Sequence, residues 1–122
     1  MNKHTSWFPS AALIGGEWVI SPDTFNVTDP ATGQVIATVP NLGAKDTLRA
    51  IDAAQAALPA WSAKTAKERA AILRRWFDLI TVETERLAQL MTAEQGKPLA
   101  EARGEVTYGA SFIEWFAEEG KR

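Results

Sequence analysis

After Asn41-Leu42-Gly43 the spacing of apolar residues changes from every second position to about every 3.6, and it stays there to the end of the chain. Short extended segments must therefore come first, and everything after them is helical. A chain written in this order predicts antiparallel hairpins followed by a layer of about four helices.

The leading part is punctuated like strands. Leu13-Ile14, Gly15-Gly16 and Glu17-Trp18-Val19-Ile20 spell a tight hairpin, because paired glycines supply the positive φ angles of a primed two-residue turn. The same glycines are not a phosphate cradle. They lack the Lys-Ser/Thr ending of a P-loop and the third glycine of a dinucleotide fingerprint. Phe25-Asn26-Val27-Thr28 alternates apolar and polar residues, Asp29-Pro30-Ala31-Thr32-Gly33 has turn chemistry, and Gln34 to Val39 resumes the strand pattern. This reads as a second hairpin or a long connected pair of strands.

A first helix is expected from about Lys45 to Leu58, with Leu48, Ile51 and Leu58 on its apolar side and Pro59 beyond its last turn. Thr65-Ala66-Lys67-Glu68 is a capping box for the next helix, which carries Ile72, Leu73, Trp76, Phe77, Leu79 and Ile80. The β-branched run Thr81-Val82-Glu83-Thr84 marks a break before the stripe Leu87, Leu90 and Met91. Gly96 suits a helix C′ position and Pro98 suits N1 of a last helix from about Leu99 to Glu119. On that helix Ala102, Val106, Gly109, Ile113 and Phe116 form one stripe, with Tyr108, Phe112 and Trp115 on a neighbouring one. More than half its circumference is then apolar, which implies burial on more than one side, or else a core helix of a compact domain. Gly109 costs about 1 kcal/mol relative to Ala inside a helix, so close approach of another backbone is expected there.

Composition removes several kinds of chemistry. The 122 residues include no cysteine, so disulfides, Cys-based zinc sites and a thiolate nucleophile are all excluded. Thirteen Lys+Arg against 15 Asp+Glu leave a net charge of -2, which argues against a nucleic-acid partner. No apolar run is long enough for a membrane span, and the first ten residues lack the apolar core of a secretory signal, so a cytoplasmic location is expected. Residues 1–10 read as a tail, and His4, the sole histidine, is expected to be solvated there rather than to act as a ligand. Without another histidine there is no Ser/His/Asp set. Glu101 and Glu105 share a helix face but lack a third ligand, and with Glu114, Glu118 and Glu119 they read as surface charge. The Arg74-Arg75-Trp76-Phe77 cluster is balanced by Glu68, Asp78, Glu83 and Glu85 and reads as a solvated helix face. No metal, cofactor or catalytic set is assigned from the residues themselves.

Several stretches together resemble the N-terminal segment of the aldehyde dehydrogenase superfamily. They are the hairpin Leu13-Ile14-Gly15-Gly16-Glu17-Trp18 and the turn Val27-Thr28-Asp29-Pro30-Ala31-Thr32-Gly33. A narrower likeness, to the succinate-semialdehyde dehydrogenase branch, lies in Thr65 to Ala70, Glu94-Gln95-Gly96-Lys97-Pro98-Leu99 and Ala110 to Arg122.

The resemblance implies an α/β parent with a Rossmann-like cofactor domain, of which residues 11–122 are an incomplete N-terminal part. It implies oxidation of an aldehyde, most specifically succinate semialdehyde to succinate in 4-aminobutyrate degradation. NAD or NADP would be the oxidant, a cysteine the nucleophile and a glutamate-activated water the deacylating group. It further implies a homodimer or homotetramer. The cysteine, the catalytic Glu motif and the dinucleotide-holding motifs of that family are absent here, so the chain by itself is expected to be inactive. Tyr108 and Phe112 are the residues that the resemblance places beside the aldehyde, with a packing role as the alternative. A different class of reading is a stand-alone binding or assembly module using the apolar last helix.

Overall fold

The computed structural model describes residues 11–122, and the expected tail with His4 lies outside the described residues. The chain divides into two compact units, one ending at Pro59 and the other beginning at Ala60.

In the first unit, β1 (Ala12–Ile14) and β2 (Glu17–Val19) pair antiparallel with Ile14 opposite Glu17. Gly15 and Gly16 have φ of 61° and 85°, the two positive values that a type I′ turn demands. β3 (Thr24–Thr28) and β4 (Val35–Pro40) form a second antiparallel pair with a register irregularity between Val27 and Thr28. Their connection is closed by Asp29, whose N–H donates to the Gln34 carbonyl at 2.9 Å and whose Oδ1 accepts from the Ala31 N–H at 2.7 Å. An aspartate that bonds its own backbone two residues on is the mechanism expected of such turns. Ile36 and Ala37 are both buried. Consecutive strand residues face opposite ways, so β4 is covered on both faces.

α1 (Ala44–Ser62) runs past the expected end at Leu58 and includes Pro59 in its last turn. The missing proline N–H removes only one ladder bond there, and the few residues that follow complete a single turn, so the helix does not stop where the sequence suggested. None of its residues is buried, and Leu48, Ile51 and Leu58 are exposed.

In the second unit, α2 (Ala66–Val82) begins at the expected capping box. The Glu68 N–H donates to Thr65 Oγ1 at 3.3 Å while Glu68 Oε2 accepts from the Thr65 N–H at 2.7 Å. α3 (Thr84–Gln95) follows after one residue, Glu83, at φ -91° and ψ 8°. The break has a visible cause: Thr81 Oγ1 donates to the Phe77 carbonyl at 2.9 Å and Thr84 Oγ1 to the Thr81 carbonyl at 2.8 Å. Hydroxyls bonding back to the preceding turn compete with the helical ladder and bend it. Gly96, at φ 81°, ends α3 with its N–H on the Thr92 carbonyl at 2.9 Å, a left-handed cap.

α4 (Leu99–Glu119) spans the residues that the sequence suggested. Pro98 is its N-cap and not N1: its ψ is 136°, while its carbonyl accepts the first helical bond from the Ala102 N–H at 3.0 Å. The buried side of α4 is Ala102, Val106, Ala110 and Ala117. The expected stripe departs from it after Val106, because the i+4 step leads to Ala110 while Gly109 and Phe116 stay exposed. Ala88 and Ala102, both at 0% exposure, anchor the core with Val106, and Ile80, Leu87, Met91 and Leu99 pack around them. Alanines at these points let α4 lie close to α3, and no large side chain is fully buried among the described residues.

Candidate functional site

An open aromatic surface of the second unit lies on α4. Tyr108 and Phe112 are one helical turn apart and therefore neighbours on one face. Their rings meet edge to face, with centroids 4.8 Å apart and planes at 80°, the geometry favoured by the aromatic quadrupole. Trp115 extends the same face, and exposures of 66%, 47% and 61% for Tyr108, Phe112 and Trp115 leave it open. With Ser111, Phe116 and Glu119 these residues border a shallow concave surface. The Ser111 hydroxyl donates to the Tyr108 carbonyl at 2.7 Å, so it is engaged within the helix.

Two ion pairs fix α4 on either side of Tyr108. Toward its start, Arg103 grips Glu85 of α3, with Nε on Oε2 at 2.7 Å and a second bond to Oε1 at 3.0 Å. Toward its end, Arg74 of α2 reaches Glu114 at 2.7 Å, lies 3.4 Å from Asp78 and stacks its guanidinium 4.8 Å above the Phe77 ring. Glu114, read from the sequence as plain surface charge, is thus a tie between helices. Nothing in its local pattern revealed the partner forty positions away. Arg103 and Gln89 together hold the Glu85 carboxyl down to about 2. The Lys121 ammonium lowers that of Glu118, and Thr65 lowers that of Glu68. All of these carboxylates are exposed, so each pair contributes little to stability; Arg103–Glu85 orients α4 against α3 and Thr65–Glu68 caps α2.

Chemically this surface is an apolar wall with one phenol, suited to lining the path of a carbon chain and excluding water from it. Among the described residues no group of three His, Cys, Asp or Glu side chains could hold a metal ion. Glu105 is engaged with Lys97, and Glu101 lies in the first turn of α4. Gly15 is part of the β1–β2 turn. A Cβ on Gly15 would come within 3.3 Å of the Ala53 side chain of α1, so that glycine serves close packing.

The chain belongs to the aldehyde dehydrogenase family, whose sequence profile matches residues 18–122. It is 60% identical to a glutarate-semialdehyde dehydrogenase of Pseudomonas putida, over 98% of this chain and 25% of that protein. It is likewise 60% identical to the succinate-semialdehyde dehydrogenase [NADP(+)] GabD of Escherichia coli, over 94% of this chain and 24% of that protein. Among solved structures, an NADP-dependent enzyme of E. coli superposes with a TM-score of 0.92 at 59% identity, covering 96% of this chain and 25% of its own. The succinate-semialdehyde dehydrogenase of Burkholderia pseudomallei gives 0.91 at 61% identity, covering 98% and 25%. The chain therefore spans about a quarter of the length of the relatives it matches.

Proposed function

We propose that this chain supplies the leading hairpins and a helical layer of the cofactor domain of an aldehyde dehydrogenase. That enzyme oxidises succinate semialdehyde to succinate, as in 4-aminobutyrate degradation, with NAD or NADP as acceptor. The 60% identity to the E. coli succinate-semialdehyde dehydrogenase carries the reading, and equal identity to a glutarate-semialdehyde dehydrogenase makes the five-carbon homologue the competing substrate. Residues 11–122 form the incomplete N-terminal part of that domain, and the whole enzyme is a cytoplasmic homodimer or homotetramer. No described helix is long and apolar enough to cross a membrane, which is compatible with that location. Tyr108 and Phe112 line the aldehyde's path, supported by their shared open face on α4.

The test joins this chain to the rest of the E. coli relative, in place of the segment it matches. The joined polypeptide should reduce NAD or NADP with succinate semialdehyde, while the 122-residue chain alone should not, having no cysteine to attack the aldehyde. Tyr108→Ala should raise the KM of the joined polypeptide for the aldehyde several-fold with a smaller change in kcat. A folded joined polypeptide without turnover would sink the reading and favour a binding module using the same aromatic face.

A further inference from the structure

The second half of α4 rests on small side chains. It buries Ala110 and Ala117, and α2, which packs against it, buries Ala70. Methyl groups leave little to interdigitate, so such a contact sets how close two helices come but resists rolling of one on the other only weakly. A close backbone contact at Gly109 does not supply the resistance, since a Cβ there would meet nothing within 4 Å. A ring about 6 Å from a helix axis moves about 1 Å for a roll of about 10°. A gap of up to about that size forfeits roughly a quarter to a half of a van der Waals contact.

What opposes rolling is a pair of charged anchors on one flank. Arg103, bound to Glu85 of α3, and Glu114, bound to Arg74 of α2, are eleven positions apart on α4. Eleven residues are about three full turns, so the two anchors fall on one line along the helix, about 16 Å apart. At about 100° per residue, Phe112 stands on the side opposite both of them. The first half of α4 is also held by Ile80, Leu87, Met91 and Leu99 around Ala102 and Val106. The second half depends more on Arg74. Its guanidinium lies 2.7 Å from Glu114 and 3.4 Å from Asp78, and it is stacked 4.8 Å from the centre of the Phe77 ring. The stack and Asp78 belong to its own helix, so they hold the side chain in place to meet Glu114.

We propose that Arg74 is a positioning residue for the aldehyde: through Glu114 it pins α4 against rolling and so sets where Tyr108 and Phe112 stand. This rests on the reading of those two side chains as the lining of the aldehyde's path. Because an exposed ion pair contributes little to stability, its loss appears in the fit of the substrate and not in folding.

The experiment uses the joined polypeptide and succinate semialdehyde. Arg74→Met keeps the apolar stem and removes the charge. It should raise KM about threefold, with kcat within about twofold and the thermal midpoint within about 2 °C. Glu114→Gln, nearly isosteric, should raise KM about twofold, and it probes the same tie should Arg74→Met not fold. The double variant should be no worse than Arg74→Met, because both changes break one contact. Arg74→Lys, which can still meet Glu114, should restore most of the loss. The two single variants leave opposite lone charges, a carboxylate in one and a guanidinium in the other. A displaced wall raises KM in both. Shifts in opposite directions would mean that the charge itself acts on the semialdehyde's carboxylate, and would overturn the proposal. Penalties that multiply in the double variant, or a lowered midpoint with KM unchanged, would overturn it too. Tyr108→Ala separates the two levels: an unchanged KM there removes the lining reading, whereas a raised KM there with none in either tie variant removes the role of Arg74 alone.

Discussion

Arg103 binds both oxygens of the Glu85 carboxylate, at 2.7 and 3.0 Å, and so ties the first half of α4 to α3. The bond favours the ionised carboxylate, which is why its titration falls to about 2. A carboxyl held lower in the folded chain than its unfolded value of about 4.3 contributes stability above that pH and loses it as the pH falls toward 2. Arg103→Gln should return Glu85 toward the ordinary glutamate range, seen by NMR titration of its side-chain carboxyl, and should flatten the acid limb of the stability curve between those limits. An unmoved Glu85 titration would contradict the pairing.

Thr65 caps α2 through a reciprocal pair with Glu68. Thr65→Ala should cost about 1 kcal/mol in urea unfolding followed by circular dichroism, and Thr65→Ser should restore most of it. Loss of the cap should also raise the Glu68 titration, because the Thr65 hydroxyl and then its N–H are the main groups holding it down.

Gly96 turns the chain from α3 toward α4 at φ 81°. A Cβ in that region opposes the following carbonyl, so Gly96→Ala should destabilise the chain by about 1 kcal/mol, and Gly96→Asn by less. Equal midpoints for all three proteins would show that the cap relaxes.

Thr92 Oγ1 is buried without a hydrogen-bond partner among the described residues. Removing a hydroxyl in that state relieves its desolvation penalty, so Thr92→Val should leave stability unchanged or raise it by about 1 kcal/mol. A clear loss would mean that the hydroxyl has a partner in solution.

Local signals were the legible ones. The glycine pair, the capping box, the break at Thr81 to Thr84 and the cap at Gly96 are each fixed by a few neighbouring residues, and each stands where the sequence put it. Pro59 and Pro98 were misjudged by a turn and by one residue, since a proline ring constrains its own φ and its missing donor but not how far the helix around it extends. The aromatic face was legible as a pattern on α4. Its orientation was not, because the inward side is chosen by which alanines meet α3 and by long-range ties such as Arg74 to Glu114. Chemistry was legible mainly by exclusion, through the missing cysteine.

The alanine-centred interior of the helical unit has a consequence for how the protein tolerates change. Its best-protected positions, Ala88 and Ala102, have no room to grow, while its bulkiest residues, such as Trp76 and Trp115, lie open. In the chain by itself, mutational sensitivity should therefore be inverted relative to an ordinary globular protein, falling on the smallest side chains and sparing the largest. A substitution scan of the chain alone and of the joined polypeptide would chart two different maps. The residues that switch from tolerant to intolerant would outline, one position at a time, the footprint of everything the helices are shaped to receive.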